Sequence, residues 1–184
     1  MKIIGIVGFI GAGKEVAAKY FIEKHDYSYI EYGDIFRKTA KKMGLTTSRS
    51  DLQKTRIICD EKHGKDYFPE KVVKTIIKNK LERVVICGIR NPEDAIIPKK
   101  IFGKNMVLLF IEADKEKRFK RLKKRASPRD PKSKKEFEEQ EKKEFKIYGL
   151  KEAENMCDFR VKNNSTVNKF YKNLEQFIIE HNLR

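Results

Sequence analysis

The stretch Gly8-Phe9-Ile10-Gly11-Ala12-Gly13-Lys14 constrains this chain more than any other. It follows an apolar run at residues 3–7 and precedes a helix-like segment at 15–24. A strand, a glycine-rich turn and a helix in that order build a cradle for phosphates. Successive backbone N–H groups must aim at phosphate oxygens, and bulky side chains would block that approach. Gly8, Gly11, Ala12 and Gly13 supply the small residues, and Lys14 adds a mobile cation for the β and γ phosphates. Glu15 and Val16, at the start of the helix, complete the candidate nucleotide contacts. A ligand-free turn explains a glycine pair, but not the full G-x4-G-K with these flanks. One position departs from the pattern: where Ser or Thr ordinarily ligates Mg²⁺, the chain has Glu15.

The 184 residues, 39% of them apolar, suffice for one sizeable core despite a charged content of 38%. No apolar run approaches the ~20 residues that span a bilayer, so no membrane partner is expected. Residues 3–7 are too short for a signal-peptide core and run straight into the glycine loop. Cys59, Cys87 and Cys157 are widely spaced and form no C-x-x-C. That argues against a disulfide framework or a zinc site and fits a reducing cytoplasm. His25, His63 and His181 show no metal-ligand spacing and read as surface residues. The net charge of +16 is concentrated: residues 115–135 hold twelve Lys and Arg against Glu116 and Asp130, a net of +10. Such a patch meets either a polyphosphate or nucleic acid.

Apolar runs at 3–7, 27–31, 84–87, 106–112 and 159–161 read as strands, with helical patterns between them. The runs are unbroken rather than alternating, which predicts strands buried on both faces of a mainly parallel sheet. Val167, Phe170, Leu174, Phe177 and Ile178 give the spacing of a helix docked on that sheet, with Ser165 or Thr166 as its cap. Two stretches read as insertions. Residues 34–80 hold about three helices. Residues 115–156 hold a basic helix, a loop with Pro128 and Pro131, and a charged helix that Ser133 and Glu136 open as a capping box.

Three further motifs carry chemistry. Gly33-Asp34-Ile35-Phe36-Arg37 opens a helix with Asp34 and Arg37 on one face. It is either a helix cap with a surface ion pair, or an acceptor site with Arg37 on a phosphate and Asp34 near the attacked group or the metal. Cys87-Gly88-Ile89-Arg90 lies at the end of the third strand, the edge of a parallel sheet where ligands bind. Arg90 there offers a bidentate fork for phosphate or carboxylate. Arg118, Arg121, Arg125 and Arg129 recur at spacings of three and four, fit to close over a transferred phosphoryl group. The lysines among them read as a solvated face.

Together the glycine loop, Gly33-Asp34-x-x-Arg37, Gly88-x-Arg90, the arginine-rich segment and Cys157-Asp158-Phe159-Arg160-Val161-Lys162-Asn163 resemble the P-loop nucleoside monophosphate kinase superfamily. The chain looks most like archaeal kinases akin to adenylate kinase and dephospho-CoA kinase. The resemblance implies a P-loop NTPase three-layer α/β fold. Its five-stranded parallel sheet would have the order 2-3-1-4-5 and be flanked by helices. It implies one kinase domain with a core at 1–33, 81–114 and 157–184, an acceptor-binding region at 34–80 and a lid at 115–156. ATP and Mg²⁺ are the implied cofactors. Lys14 would hold the donor phosphates, Arg37 and Arg90 the acceptor phosphate, and Arg121, Arg125 and Arg129 the transferred group. Asn163 would lie near the donor base.

Two departures concern the metal. Relatives often carry Asp at the end of the third strand, where this chain has Cys87, and Glu15 replaces the hydroxyl residue. Glu15, Asp34 or Asp114 are then the candidate Mg²⁺ ligands, directly or through water. The leading expectation is an ATP-dependent kinase of a small nucleotide-like acceptor, most plainly a (deoxy)nucleoside monophosphate, with dephospho-CoA as the alternative. A nucleotide-dependent factor binding RNA through the basic segment, with weak ATPase activity, is the reading of a different class.

Overall fold

Five strands lie parallel in one sheet, in the order β2-β3-β1-β4-β5. They are β1 (Lys2–Val7), β2 (Ser28–Glu31), β3 (Arg83–Cys87), β4 (Met106–Glu112) and β5 (Phe159–Lys162). The expected five strands and their order are therefore observed. The computed structural model describes every residue except Arg129, and every remaining side chain except those of Arg49, Ile147 and Tyr148.

The unbroken apolar runs have a direct cause. Alternate residues of each central strand feed two separate cores. Ile3, Val7, Val84, Ile86, Leu108 and Phe110 face one core, and Ile4, Ile6, Val85, Cys87, Leu109 and Ile111 face the other. The second core is closed by α1 (Lys14–His25) and α9 (Val167–Glu180), through Phe21, Phe170, Leu174 and Phe177. The first is closed by α2 (Tyr32–Lys42), α3 (Arg49–His63), α4 (Tyr67–Lys78), α5 (Pro92–Phe102) and α8 (Leu150–Asn155), through Tyr32, Cys59, Phe68, Ala95 and Leu150. Each fully buried aliphatic side chain contributes about 1.5–3 kcal/mol, so both faces matter to stability. Among the described residues, no helix is long and apolar enough to cross a membrane.

Because all strands run the same way, β1, β2, β3 and β4 end on one edge of the sheet. The glycine loop, Glu31, the Gly88-Ile89-Arg90 turn and Ala113-Asp114 emerge there. Beyond β4 come α6 (Lys115–Arg125) and α7 (Lys134–Tyr148).

Three local expectations change. The charged helix expected before residue 156 is two, α7 and α8, broken at Gly149, whose φ of 59° is left-handed. A Cβ there would meet Glu152 Oε2 at 2.7 Å. Ser133 does cap α7, accepting from the Glu136 N–H at 3.1 Å, but the Glu136 carboxylate accepts from Lys132 N at 2.8 Å, so the box is only half formed. His25 is not a surface residue. Its side chain is only 9% exposed and lies 2.7 Å from Glu175 Oε2, which also accepts from the Tyr20 hydroxyl. Thr166 caps α9, accepting from the Lys169 N–H.

Candidate phosphate-binding site

β1 delivers the chain into the loop, and α1 starts at Lys14 with Gly13 as its N-cap. No side chain caps that end, so its first N–H groups are left for a ligand. Gly11 and Gly13 have φ of 77° and 101°, which L side chains rarely adopt. Both are also crowded: a Cβ on Gly11 would meet the Arg118 carbonyl oxygen at 2.8 Å, and one on Gly13 would strike Asn163 Nδ2. The loop is therefore fixed by glycine on one side and by its neighbours on the other.

Two buried residues brace it. Asn163, just past β5, donates from Nδ2 to the Ala12 carbonyl at 2.8 Å. Arg118 is turned inward, although it shares its spacing with the arginines expected to line the site. Its side chain is 5% exposed. It donates to the carbonyls of Ala113 at 3.0 Å and Ile10 at 3.1 Å, and its Nη1 lies 2.5 Å from Glu141 Oε1 of α7. The rings of Phe9 and Phe137 flank its guanidinium.

Lys14 folds back on the loop, donating from Nζ to the carbonyls of Gly8 at 2.6 Å and Phe9 at 3.1 Å. Burial holds its pKa below the usual lysine range, against the attraction of Glu144 and with the repulsion of Arg90. Ala12 is buried in the loop, and Val16 is exposed on the first turn of α1. Arg121 donates from Nη2 to the Asn163 carbonyl at 2.7 Å and to its Oδ1 at 3.1 Å. Its Nη1 is buried and, among the described residues, has no hydrogen-bond partner. Arg125 grips Asp130 through Nε and Nη2, at 2.9 and 2.5 Å, and its Nη1 lies 3.7 Å from Glu15. Arg129 lies outside the described residues.

On the acceptor side, Arg37 Nη2 lies 2.6 Å from Asp34 Oδ1 and 3.4 Å from Glu31 Oε2. Arg90 follows Gly88, and its backbone N–H donates to Asp94 Oδ2 at 3.3 Å. Asp94 is buried and pairs with Arg56 of α3 at 3.2 Å. Burial raises the Asp94 pKa, and Arg56 opposes that. Arg90 Nη1 lies 4.0 Å from Glu144 Oε1, and the charge of Glu144 is the strongest one opposing the lowered Lys14 pKa.

Residues 7–138 match the model of a family described as an AAA domain. The chain is 31% identical to the UPF0200 protein PH1008 of Pyrococcus horikoshii, over 96% of this chain and 95% of that protein. It belongs to the UPF0200 family. It is also 33% identical to a UPF0200/UPF0201 protein of Archaeoglobus fulgidus over 98% of its own length, and spans 56% of the length of that relative. Among solved structures it is similar to shikimate kinase from Acinetobacter baumannii in complex with shikimate. The TM-score is 0.60 at 16% identity, covering 100% of this chain and 96% of that one. The UPF0200 chain thus has a P-loop kinase fold.

The donor set in this UPF0200 chain fits a polyphosphate: a helix N-terminus with no side-chain cap, a loop with no room for Cβ atoms, Lys14, and an Arg121 Nη1 without a partner among the described residues. Of the carboxylates expected to hold Mg²⁺, two are beside an arginine, Glu15 by Arg125 and Asp34 by Arg37. Among the described residues no three His, Cys, Asp or Glu side chains gather as a metal site. Burial, chiefly, pushes the Cys87 thiol up to about 12, so it is neutral at ordinary pH. The basic stretch is less bare than its composition implies. Lys115, Lys117, Arg118, Arg125 and Lys134 face acidic side chains, and Arg121 bonds Asn163.

Sequence reasoning missed Glu31, Asp94, Glu141 and Glu144. Glu31 carried a signal, as the last residue of a strand at the ligand edge. The acids of α7 carried none, since a charged helix reads as solvated whichever face is buried.

Proposed function

We propose that this protein is an ATP-dependent phosphotransferase that moves the γ-phosphate to a small nucleotide-like acceptor. The observation that carries this reading is Glu144: its carboxylate lies 4.0 Å from Arg90 of the β3 turn, and its charge also acts on buried Lys14 of the donor loop. A donor cation and an acceptor cation facing one space is what transfer between two bound phosphates needs. In this reading the core is 1–33, 81–114 and 157–184, with an acceptor-binding region at 34–80 and a lid at 115–156.

The roles follow from charge and position. Gly8, Gly11, Ala12 and Gly13 present backbone N–H groups to the β and γ phosphates, with Glu15 and Val16 beside them on α1. Lys14 leaves the Gly8 and Phe9 carbonyls to meet the phosphates. Arg121 offers its spare Nη1, while Arg125 and Arg129 close from the lid. Asn163 sits behind Ala12, at the donor end. Glu15 and Asp34 are the carboxylates that would face the waters of a nucleotide-bound Mg²⁺, which would supply charge stabilisation to the phosphates. The bond from the γ-phosphorus to the bridging oxygen breaks as one to the acceptor oxygen forms, and the bridging electrons leave on ADP. Positioning and electrostatics supply the rate.

A (deoxy)nucleoside monophosphate would attack through a phosphate oxygen held by Arg37 and Arg90. A second reading, dephospho-CoA, attacks through a ribose hydroxyl and needs a base. The Asp34–Arg37 contact favours it, because Arg37 already has a carboxylate at 2.6 Å, and Asp34 would serve as that base. Mass spectrometry of the products separates the two. Gain of one phosphate by AMP, CMP or a dNMP supports the first, and conversion of dephospho-CoA supports the second. If neither class gains a phosphate, transfer to a nucleotide-like acceptor is wrong.

A further inference from the structure

α7 lies over the glycine loop on a single face, Phe137, Glu141, Glu144 and Phe145, at the i, i+4, i+7, i+8 spacing of one helix stripe. Phe137 is fully buried. Glu141 reaches the loop through Arg118, which bonds the Ile10 carbonyl. The Phe145 ring lies 5.3 Å from that of Phe9 in the loop itself. Between these two anchors stands Glu144, its side chain 12% exposed and its Oε1 4.0 Å from Arg90 Nη1. Its negative charge is also the strongest one acting on Lys14.

A carboxylate in that place has a physical reason. Lys14 and Arg90 repel each other, and the Glu144 charge, which acts on both, offsets the repulsion. The separation of 4.0 Å is a loose ion pair without a tight hydrogen bond, so it is exchangeable. Phosphate oxygens entering the same space would meet a partly buried like charge, which is unfavourable for both.

We propose that Glu144 is the resident counter-ion of the phosphate site, and that a polyphosphate binds by displacing its carboxylate, and α7 with it, from beside Arg90 over the glycine loop. This rests on the reading of the loop as a phosphate site. The ends of α7 suit such a movement: a left-handed Gly149 follows it, and a Ser133 cap precedes it. Until α7 moves, the site pays a tax on affinity equal to the fraction of molecules with Glu144 withdrawn.

The test is calorimetric titration with inorganic tripolyphosphate, without metal or acceptor, at fixed ionic strength. Glu144→Gln is expected to bind roughly tenfold tighter than the unaltered protein, as when about a tenth of the molecules are open. Glu144→Ala should behave alike. Glu138→Gln makes the same change in net charge on an exposed residue of α7 beside Lys115, and should match the unaltered protein within about twofold. Hydrogen exchange over residues 134–148 should rise when tripolyphosphate is added. Equal or weaker binding by both Glu144 variants, or unchanged exchange, overturns the proposal while leaving the phosphate site standing. If neither the unaltered protein nor the variants bind tripolyphosphate, the phosphate-site reading falls too.

Discussion

Asn163 Nδ2 donates to the Ala12 carbonyl at 2.8 Å, tying the residue after the edge strand β5 to the glycine loop after the central strand β1. Asn163 is buried, so removing its amide leaves a buried carbonyl unmet. Asn163→Ala is expected to cost about 1–3 kcal/mol in urea unfolding and to weaken ATP binding. A stability change within error would show that the loop holds its shape without this bond.

Arg118 links the loop to α7 from the inside. Arg118→Met takes the closer partner from buried Glu141, leaving Lys115 at 3.7 Å, and should cost about 3 kcal/mol. Adding Glu141→Leu should recover more than half of that, since a buried pair replaced by apolar groups of similar size is often neutral. A double variant no more stable than the single one would mean that the bonds to Ala113 and Ile10 carry the effect.

Gly13→Ala combines a left-handed φ of 101° with a collision against Asn163. The backbone conformation alone costs about 1–2 kcal/mol, and the displaced Asn163 adds to it. The variant should lose ATP-dependent thermal stabilisation while its circular dichroism stays native. Full ATP protection in Gly13→Ala would show that the loop tolerates a Cβ.

The Arg125–Asp130 clasp gives a pH signature. The hydrogen bond from Arg125 holds the Asp130 carboxyl below its usual range, helped by the Ser127 N–H. A depressed carboxylate contributes stability above its unfolded pKa of about 4 and loses it as pH falls through the folded value. The unaltered protein should therefore lose more stability between about pH 5 and pH 3 than Asp130→Asn does. Identical slopes in urea titrations at those pH values would remove the clasp from the account.

The sheet was legible because its strands are buried on both faces: 106–112 is too apolar for anything but a central strand. Strand order came from the resemblance of the motifs, since periodicity says nothing about which strands pair. The loop, Asp34, Arg37 and Arg90 were legible from spacing and from their places at strand and helix ends. Arg118 was not, because residues at 118, 121 and 125 share a helix face and only packing shows that 118 turns inward. Glu144 was hidden in a helix where Lys and Glu alternate, and His25 was misread because its partner, Glu175, is distant in sequence. In each case the deciding contact is long-range.

In the proposed reaction, phosphoryl transfer runs from a donor held at Lys14 to an acceptor held at Arg90. Its most direct test is acceptor-stimulated ADP release with ATP and Mg²⁺, over AMP, CMP, the dNMPs and dephospho-CoA. We predict that one of these raises the rate well above basal hydrolysis, and that Lys14→Ala and Arg90→Ala each abolish the stimulation. No stimulation by any acceptor, or stimulation that survives both substitutions, would contradict the claim.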